Sequence, residues 1–160
     1  MLFMVLSVLS VGTVHKYGMD SMRALINLIE AHNEVVELHN GKLYHATITA
    51  NVAAILRLGF LPTRNGVWGD AYAEPRTYFT QDSTDCYLVA CEMICIHGAE
   101  EVSVIEIDVS KIYPPPTFHT DPDWYGDASE ITTSAIYTNS SILPSSITGV
   151  VATYSRDDFD

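Results

Sequence analysis

Apolar residues recur at helical spacing near the start of the chain, and this pattern predicts the first helix. Ser21 or Asp20 can serve as its N-cap, because both side chains accept hydrogen bonds from the free backbone N–H groups of a first turn. The helix is expected to run through about Glu37. Its predicted apolar positions are Met22, Leu25, Ile26, Leu28, Ile29, Val35 and Val36.

The next elements are short, and turn-forming residues separate them. Lys42 to Thr47 is predicted to be a strand, and Thr49 is the expected N-cap of a helix that ends at Leu58. Gly59 follows as the residue that stops this helix. Pro62 to Pro75 contains Asn-Gly and Gly-Asp pairs and few periodic apolar residues, so it is predicted to be a long loop.

The second half of the chain contains more strands than helices. A strand is predicted over Thr77 to Thr80, and Asp82 or Ser83 is expected to cap a helix that runs through Ile96 and is closed by Gly98. The later predicted strands are Glu101 to Val109, whose alternation suggests half-burial, Ala135 to Thr138, and Ile147 to Tyr154. Because strands and helices do not alternate regularly, an α+β fold is predicted in preference to a doubly wound sheet.

Composition narrows the class of protein. A chain of 160 residues has the usual size of one domain, and 48% hydrophobic with 18% charged residues excludes a disordered protein and a coiled coil. Twenty acidic against eight basic residues give a formal net charge of −12. Such a chain repels phosphate backbones, which argues against broad coating of DNA or RNA but leaves open a local basic groove for one strand.

The first residues and the cysteines bear on the compartment. Met1 to Val14 is apolar, lacks the basic residues of a secretory signal and is too short for a membrane span, so we interpret it as a buried strand or helix, with a degenerate signal peptide as the alternative. No membrane partner is expected. An odd number of cysteines in one apolar segment (Cys86, Cys91, Cys95) suggests buried thiols in a reducing, cytoplasmic compartment. Zinc bound by Cys91, Cys95 and His97 is the lesser alternative.

The common catalytic signatures are missing from the sequence. It contains no Gly-x-Gly-x-x-Gly, no P-loop, no Gly-x-Ser-x-Gly and no His-Glu-x-x-His. The acidic segment Asp121-Pro122-Asp123 lacks the spacing of a calcium loop. No metal cofactor is therefore predicted.

Four segments, taken in order, resemble a known family. Leu43-Tyr44-His45-Ala46-Thr47 places a single His in a short strand, before the helix that ends at Leu58-Gly59-Phe60-Leu61. Arg76-Thr77-Tyr78-Phe79-Thr80 follows the long loop, and Ile142-Leu143-Pro144-Ser145-Ser146-Ile147 stands near the end. This order resembles the ADP-ribosyltransferase superfamily, in its branch with a His, Tyr and acidic signature, and is most similar to its small microbial and phage members. The resemblance covers a core of residues 42–152, preceded by a helical extension over 1–40 in a single domain of 1–160, and implies split antiparallel sheets with flanking helices.

The resemblance implies an enzyme that takes NAD as its substrate, cleaves the nicotinamide–ribose bond and transfers ADP-ribose to a macromolecule or a small molecule. His45 would hydrogen-bond a ribose hydroxyl, Tyr78 would present an aromatic face to nicotinamide, and Tyr87 would supply a second stacking ring. The loop from Arg64 to Arg76 would close over the dinucleotide, with either arginine meeting the pyrophosphate. The NAD-binding residues implied in this way are His45, Ala46, Thr47, Arg64, Tyr78 and Tyr87, and the catalytic residues are His45, Tyr78 and Glu130.

Each of these residues also has a structural interpretation. His45 in an apolar strand could be a core histidine that a backbone carbonyl satisfies. Strand alternation alone turns either Tyr78 or its neighbour toward the core. Tyr87 could pack on its helix, and Arg64 and Arg76 could be solvated loop charges.

The chain departs from the family at the acidic residue of the signature. The matching position is about Ala135, and residues 132–134 before it carry no carboxylate either. Glu130 is the nearest carboxylate, and Asp127 is a weaker candidate. Cleavage of the nicotinamide–ribose bond develops oxocarbenium character, which needs negative charge nearby. A degenerate protein that binds NAD, ADP-ribose or another nucleotide without turnover, or a basic protein partner, is therefore the alternative function.

The segment from His119 to Gly126, which follows a run of three prolines, concentrates polar and aromatic groups. It predicts either target recognition or a second catalytic carboxylate, and equally a rigid turn in which Trp124 packs on the core and the aspartates cap backbone donors. The charge of −12 leaves a further possibility, an acidic interaction protein that docks on a basic partner.

Overall fold

The chain forms one antiparallel sheet with a helix against each face. The computed structural model describes residues 35, 36, 38, 41–63, 74–121 and 135–159. The strands are β1 (Lys42–Ile48), β2 (Thr77–Thr80), β3 (Glu101–Asp108), β4 (His119–Thr120), β5 (Ala135–Thr138) and β6 (Ile147–Ser155), and the helices are α1 (Val52–Leu58) and α2 (Ser83–Cys95). The α+β prediction is confirmed. Met1 to Val14 and most of the predicted first helix lie outside the described residues.

The six strands follow the order β4-β5-β2-β1-β3-β6, and every neighbouring pair is antiparallel. β1 lies near the middle and pairs with β3 along all of its seven residues. On its other side, β1 is in register with β2 at Tyr44 and Thr80. β1 is therefore paired with β3 along its whole length, but with β2 over a short stretch only.

Two apolar cores cover the two faces of this sheet. The face that α1 covers, here the α1 face, has a core of Leu43, Phe60, Phe79, Ile105, Ile107, Ile112, Phe118, Ile136 and Ile142. The face that α2 covers, here the α2 face, has a core of Val89, Ala90, Met93, Ile94 and Val102, against which Ala46 packs. Burial of each large side chain contributes about 1.5–3 kcal/mol, so both cores hold the central strands in place.

β3 is buried on both faces, although its alternating sequence predicted a half-buried strand. Its residues from Val102 to Ile107 are all buried, because each face of the sheet is covered. Glu106 belongs to this run, and its carboxylate accepts a hydrogen bond from Lys42 Nζ at 2.9 Å. That bond raises the pKa of Lys42. Glu106 is therefore a buried carboxylate that pairs with Lys42, and its presence does not mean that this side of β3 faces solvent.

The two helices begin in different ways. The Asp82 carboxylate accepts a hydrogen bond from the Thr84 backbone N–H at 2.8 Å, which confirms Asp82 as the N-cap of α2. The helix after β1 starts with a 3-10 turn over Thr49–Asn51, and α1 follows it. The Thr49 hydroxyl hydrogen-bonds the Ser103 hydroxyl at 2.8 Å, so its predicted role as an N-cap is wrong.

Gly59 ends α1, as the sequence predicted, and its backbone is in the left-handed region, with φ of +81°. Directly after it, Phe60 and Ile142 exchange two backbone hydrogen bonds of 2.8 and 2.9 Å. Backbone hydrogen bonds therefore hold the residue after Gly59 against the segment that precedes β6.

Two short extended segments differ from the sequence prediction. Val35 forms an isolated bridge with His119, and the Val36 N–H donates to the Phe118 carbonyl at 3.1 Å, so these residues do not continue a helix to Glu37. The pair His119–Thr120, which was expected to be loop, is β4. Both segments gain their extended conformation from a partner that is distant in sequence, which a local pattern does not reveal.

Candidate functional site

His45 on β1 lies beside the point where β1 and β2 pair. Its Nδ1 hydrogen-bonds the Tyr78 carbonyl oxygen of β2 at 2.7 Å. Because a carbonyl only accepts, Nδ1 carries the proton. The imidazole also contacts the rings of Phe60 and Phe79, with centroids 4.9 and 5.6 Å away. Both orientation and tautomer of His45 are therefore fixed by the surrounding chain.

Burial lowers the pKa of His45, and the hydrogen bond to Tyr78 only partly opposes this shift. The imidazole is therefore neutral at physiological pH. In a neutral ring whose Nδ1 carries the proton, Nε2 has a lone pair and accepts hydrogen bonds. The site thus offers one fixed acceptor at His45.

The side chains of His45 and Tyr78 occupy opposite faces of the sheet. His45 contacts Phe79, which belongs to the α1-face core, and alternation turns the adjacent Tyr78 to the α2 face. There the Tyr78 ring contacts the ring of its cross-strand partner Tyr137 at 6.0 Å. His45 thus meets Tyr78 through the backbone carbonyl, and the two side chains do not face each other across one cleft.

Tyr78 belongs to a group of aromatic and charged residues on the α2 face, here the tyrosine cluster. The Arg76 guanidinium lies over the Tyr137 ring, 4.0 Å from its centroid, and His119 stacks on the same ring at 5.2 Å. The members of the tyrosine cluster are Arg76, Tyr78, His119, Asp121 and Tyr137. A cation over an aromatic ring contributes about 0.5–2 kcal/mol, so Arg76 has a defined position on the sheet.

The tyrosine cluster is electrostatically connected. Burial raises the pKa of Tyr78, a hydrogen bond with Arg76 lowers it, and the charge of Asp121 raises it again. Burial also raises the pKa of Tyr137, with opposing contributions from Arg76 and Asp121. Both phenols therefore remain protonated at physiological pH.

The two residues after His45 have different surroundings. Ala46 is half-buried and packs against the α2-face core. Thr47 is 6% exposed, and its hydroxyl accepts a hydrogen bond from Asn51 Nδ2 at 3.3 Å. Thr47 therefore holds the 3-10 turn after β1, whereas Ala46 lies on the same face as Tyr78.

Tyr87 does not share the surroundings of Tyr78. Its ring packs on Tyr154 and Phe159, with centroids 5.4 and 5.0 Å away. Its alternative interpretation as a packing residue of its helix agrees with these contacts. Tyr87 therefore does not supply a second ring beside Tyr78, in contrast to the expectation from the resemblance.

The remaining predicted positions are divided between described and undescribed residues. Arg64, Glu130 and Asp127 lie outside the described residues. Ala135 lies on β5 opposite Thr80 and is 3% exposed, so the place of the expected carboxylate is occupied by a methyl group. An isolated antiparallel bridge between Thr63 and Arg76 brings together the start of the predicted loop and the residue that follows it.

The thiols of Cys86, Cys91 and Cys95 are free. Burial raises the pKa of Cys86 to about 11, although a hydrogen bond with Thr80 opposes it, so this thiol is not a nucleophile at neutral pH. Among the described residues, no group of three or more His, Cys, Asp or Glu side chains could hold a metal ion. The structure therefore gives no support to the zinc alternative at His97.

Sequence reasoning missed Tyr137 and the stacking of Arg76 upon it. The strand prediction for residues 135–138 placed Tyr137 on one face of that strand, but the pairing of β5 with β2 and β4 was unknown. Tyr137 lies two strands away from His45 in the sheet, and nothing in the sequence around Tyr137 indicates that it contacts Tyr78. That contact follows only from the order of the strands.

None of the helices that the structure describes is long and apolar enough to cross a membrane. No protein-family model matches the chain, and no curated protein matches its sequence.

Proposed function

We propose that this protein is an NAD-dependent ADP-ribosyltransferase, which cleaves the nicotinamide–ribose bond of NAD and transfers ADP-ribose to a macromolecule or a small molecule. The observation that carries the proposal is the 2.7 Å hydrogen bond between His45 Nδ1 and the Tyr78 carbonyl. It joins the two residues that the resemblance assigns to NAD binding, which lie 33 positions apart in sequence. The proposed fold is the split sheet of that superfamily, with the opening next to the short β1–β2 pairing.

His45 suits the binding of a ribose hydroxyl. Because Nδ1 donates to the backbone, Nε2 is the acceptor, and a ribose hydroxyl is a donor of the matching type. The lowered pKa of His45 keeps this acceptor unprotonated at neutral pH. We place the ribose next to the imidazole, in the opening beyond the Tyr44–Thr80 pair.

Because the Tyr78 ring lies on the opposite face of the sheet from the imidazole, we place the nicotinamide through the same opening, against the Tyr78 ring on the α2 face. The half-buried Tyr78 ring offers a flat surface, and Ala46 on the adjacent strand leaves room because its side chain is a single methyl group. Stacking of aromatic rings contributes about 0.5–1.5 kcal/mol beyond burial. Arg76, which is held over Tyr137 on the same face, suits the pyrophosphate.

The proposed reaction breaks one bond and forms one bond. The C–N bond between ribose C1′ and nicotinamide breaks, and its electron pair leaves with the neutral nicotinamide. A nucleophilic atom of the acceptor bonds to C1′ and loses its proton to solvent. Positive charge accumulates on the ribose between these two events, so a nearby carboxylate lowers the barrier.

Release of nicotinamide from NAD, together with transfer of radiolabelled ADP-ribose into a cell lysate, tests the proposal. His45→Gln and Tyr78→Ala should each lower the rate of nicotinamide release by roughly tenfold, the effect of one lost hydrogen bond or one lost stacking contact. Tyr113→Ala is the matched control, because Tyr113 is 81% exposed and should leave the rate unchanged. Absence of both nicotinamide release and label transfer with the wild-type chain would contradict the proposal.

A second candidate is a protein that binds NAD or ADP-ribose without turnover. The buried methyl group of Ala135, at the place where the resemblance puts an acidic residue, favours it. Calorimetric titration that shows NAD binding to a wild-type chain that releases no nicotinamide would support this candidate over the enzyme.

A further inference from the structure

Two of the three cysteines lie in contact on one side of α2. Cys91 and Cys95 are four residues apart, so the helix places their side chains one above the other, one turn apart. The Cys91 thiol donates a hydrogen bond to the Cys95 sulfur, and the two Sγ atoms are 3.9 Å apart. In the part of the chain that the structure describes, Cys91 is half-buried and Cys95 is exposed. Small solutes can therefore reach the pair.

The backbone spacing of this pair is compatible with a disulfide. Cα atoms four residues apart in an α-helix are separated by about 6 Å, within the range of about 4.4–6.8 Å that disulfides span. Their Cβ atoms are about 5–6 Å apart on a helix, whereas a disulfide needs about 3.5–4.5 Å. Because the two sulfurs already contact each other, the remaining requirement is that the last turn of the helix tightens.

The end of α2 is the place where the helix can tighten at low cost. Cys95 is the last residue of α2, and the N–H groups of Ile96 and His97 both donate to the Glu92 carbonyl, at 2.9 and 3.2 Å. Regular helical bonding thus stops directly after Cys95, and Gly98 follows with φ of +74°. A shift of Cys95 therefore breaks few helical hydrogen bonds.

We propose that Cys91 and Cys95 are a redox modification site, at which a peroxide converts the two thiols into a disulfide across the last turn of α2. The site is independent of the proposed transferase activity. A disulfide that is exposed and tightens a helical turn is easy to reduce, so glutathione should return the pair to thiols.

The third thiol of the same helix differs in every property that governs oxidation. Cys86 is 1% exposed, and its sulfur hydrogen-bonds the Thr80 hydroxyl at 3.3 Å. Burial raises the pKa of Cys86 to about 11. Because the thiolate is the form that attacks a peroxide, Cys86 should be spared under conditions that oxidise the exposed pair.

The proposed oxidation takes two steps and consumes one peroxide. The exposed Cys95 thiolate attacks one oxygen of hydrogen peroxide, the O–O bond breaks, and the leaving hydroxide takes up the proton that the thiol had released. Cys95 is then a sulfenic acid. The Cys91 sulfur attacks the Cys95 sulfur, the S–O bond breaks, and the leaving hydroxide takes the Cys91 proton. Two thiols thus lose two electrons and two protons, and the peroxide is reduced to two waters.

Counting the free thiols of the folded protein before and after treatment with hydrogen peroxide tests the proposal. The wild-type chain should lose two of its three thiols. Tandem mass spectrometry should locate one disulfide between Cys91 and Cys95, with Cys86 still a thiol. Reduced glutathione should restore all three thiols. Circular dichroism before and after treatment verifies that the chain stays folded.

Serine variants assign the two sulfurs. Cys91→Ser and Cys95→Ser should each form no disulfide within one molecule, because the partner sulfur is gone. Cys86→Ala is the matched control, since it removes a thiol of the same helix that does not take part. It should lose both of its remaining thiols to the disulfide, as the wild-type chain loses the same two.

Several results would overturn the proposal, and all of them can be obtained with the wild-type chain alone. One is three remaining thiols at a peroxide concentration that oxidises free glutathione in the same buffer. The others are a disulfide that includes Cys86, a disulfide between two molecules, and a sulfinic acid at Cys95 beside an unchanged Cys91 thiol. Because NAD takes no part in these measurements, each such result leaves the proposed function standing.

Discussion

At the scale of single residues, His45 has one polar contact to the backbone and two aromatic neighbours. The Tyr78 carbonyl fixes its tautomer, and the rings of Phe60 and Phe79 keep water away from one side. These contacts satisfy a half-buried histidine without any ligand. They also leave Nε2 as an oriented acceptor, so the structural and functional interpretations of His45 are compatible.

His45 should make the stability of the protein depend on pH. Because its pKa is lowered in the folded state, the unfolded chain takes up a proton first as the pH falls below about 6.5, the usual value for histidine. The stabilisation is therefore fully present above that pH and is lost as the pH falls from there through the folded-state pKa. We expect His45→Gln to lose less unfolding free energy than wild type between pH 7.5 and 5.5, by up to about 1.4 kcal/mol for each pH unit in the window.

Urea unfolding at both pH values measures this difference. Ile96→Gln is the control, because Ile96 is 73% exposed and has no titratable group, so this variant should change with pH as wild type does. Equal losses in wild type and His45→Gln would show that His45 is not held neutral by the fold.

Some residues of the candidate site could be selected from the sequence. The sequence indicates His45 as a candidate, because it is a single His in a short apolar strand and is followed by a helix that ends at a Gly. The contacts of Tyr78 and Tyr87 could not be predicted from the sequence. Tyr78 lies on a strand and Tyr87 on the helix that follows it, and their spacing along the chain does not show whether the two side chains face the same surroundings. Tyr78 reaches Tyr137, whereas Tyr87 reaches Tyr154.

At the scale of elements, Gly59 joins α1 to the chain before β6. A Cβ atom at this position would collide with the Ile142 carbonyl and approach Pro144 Cδ at 3.1 Å. The positive φ adds backbone strain for any L side chain. The Phe60–Ile142 pairing, which closes the α1-face core, depends on this close approach.

Gly59→Ala should destabilise the protein by about 3 kcal/mol or more, from the sum of strain and collision. Gly98→Ala is the matched control, because Gly98 has φ of +74° but a Cβ there would meet no atom within 4 Å. It should cost about 1 kcal/mol, from strain alone. Thermal and urea unfolding give both values, and equal losses in the two variants would contradict the role assigned to the Ile142 carbonyl.

Elements with a strong local signal were predicted well. β2 and β5 have the predicted bounds, and α2 starts at the predicted cap, because β-branched and aromatic runs and an Asp before a helix act locally. β4 was missed because two extended residues after three prolines have no period of their own. The prediction that β3 is half-buried was wrong, because the sequence does not show that Glu106 is buried and pairs with Lys42.

At the scale of the whole molecule, the order of the six strands positions the site. It places β2 between β1 and β5, so that His45, Tyr78 and Tyr137 come from three consecutive strands. Hydrophobic periodicity gives the strands but not their order, since any order that buries the same faces satisfies the pattern. The connection between His45 and the tyrosine cluster could therefore not be derived from the sequence.

The net charge of −12 also acts on the whole molecule. An acidic protein repels the anionic pyrophosphate of NAD at long range, so binding has to depend on local groups. Arg76 supplies such a group, with its guanidinium held at 4.0 Å over Tyr137. The same repulsion favours acceptors that are not themselves highly anionic.

A crystal structure with a carbocyclic NAD analogue, whose bond to nicotinamide does not break, tests the central claim most directly. Our account predicts a ribose hydroxyl within about 3.2 Å of His45 Nε2 and the nicotinamide ring against Tyr78, on the α2 face. An analogue bound elsewhere on the molecule, or a chain that binds none at millimolar concentration, would contradict it.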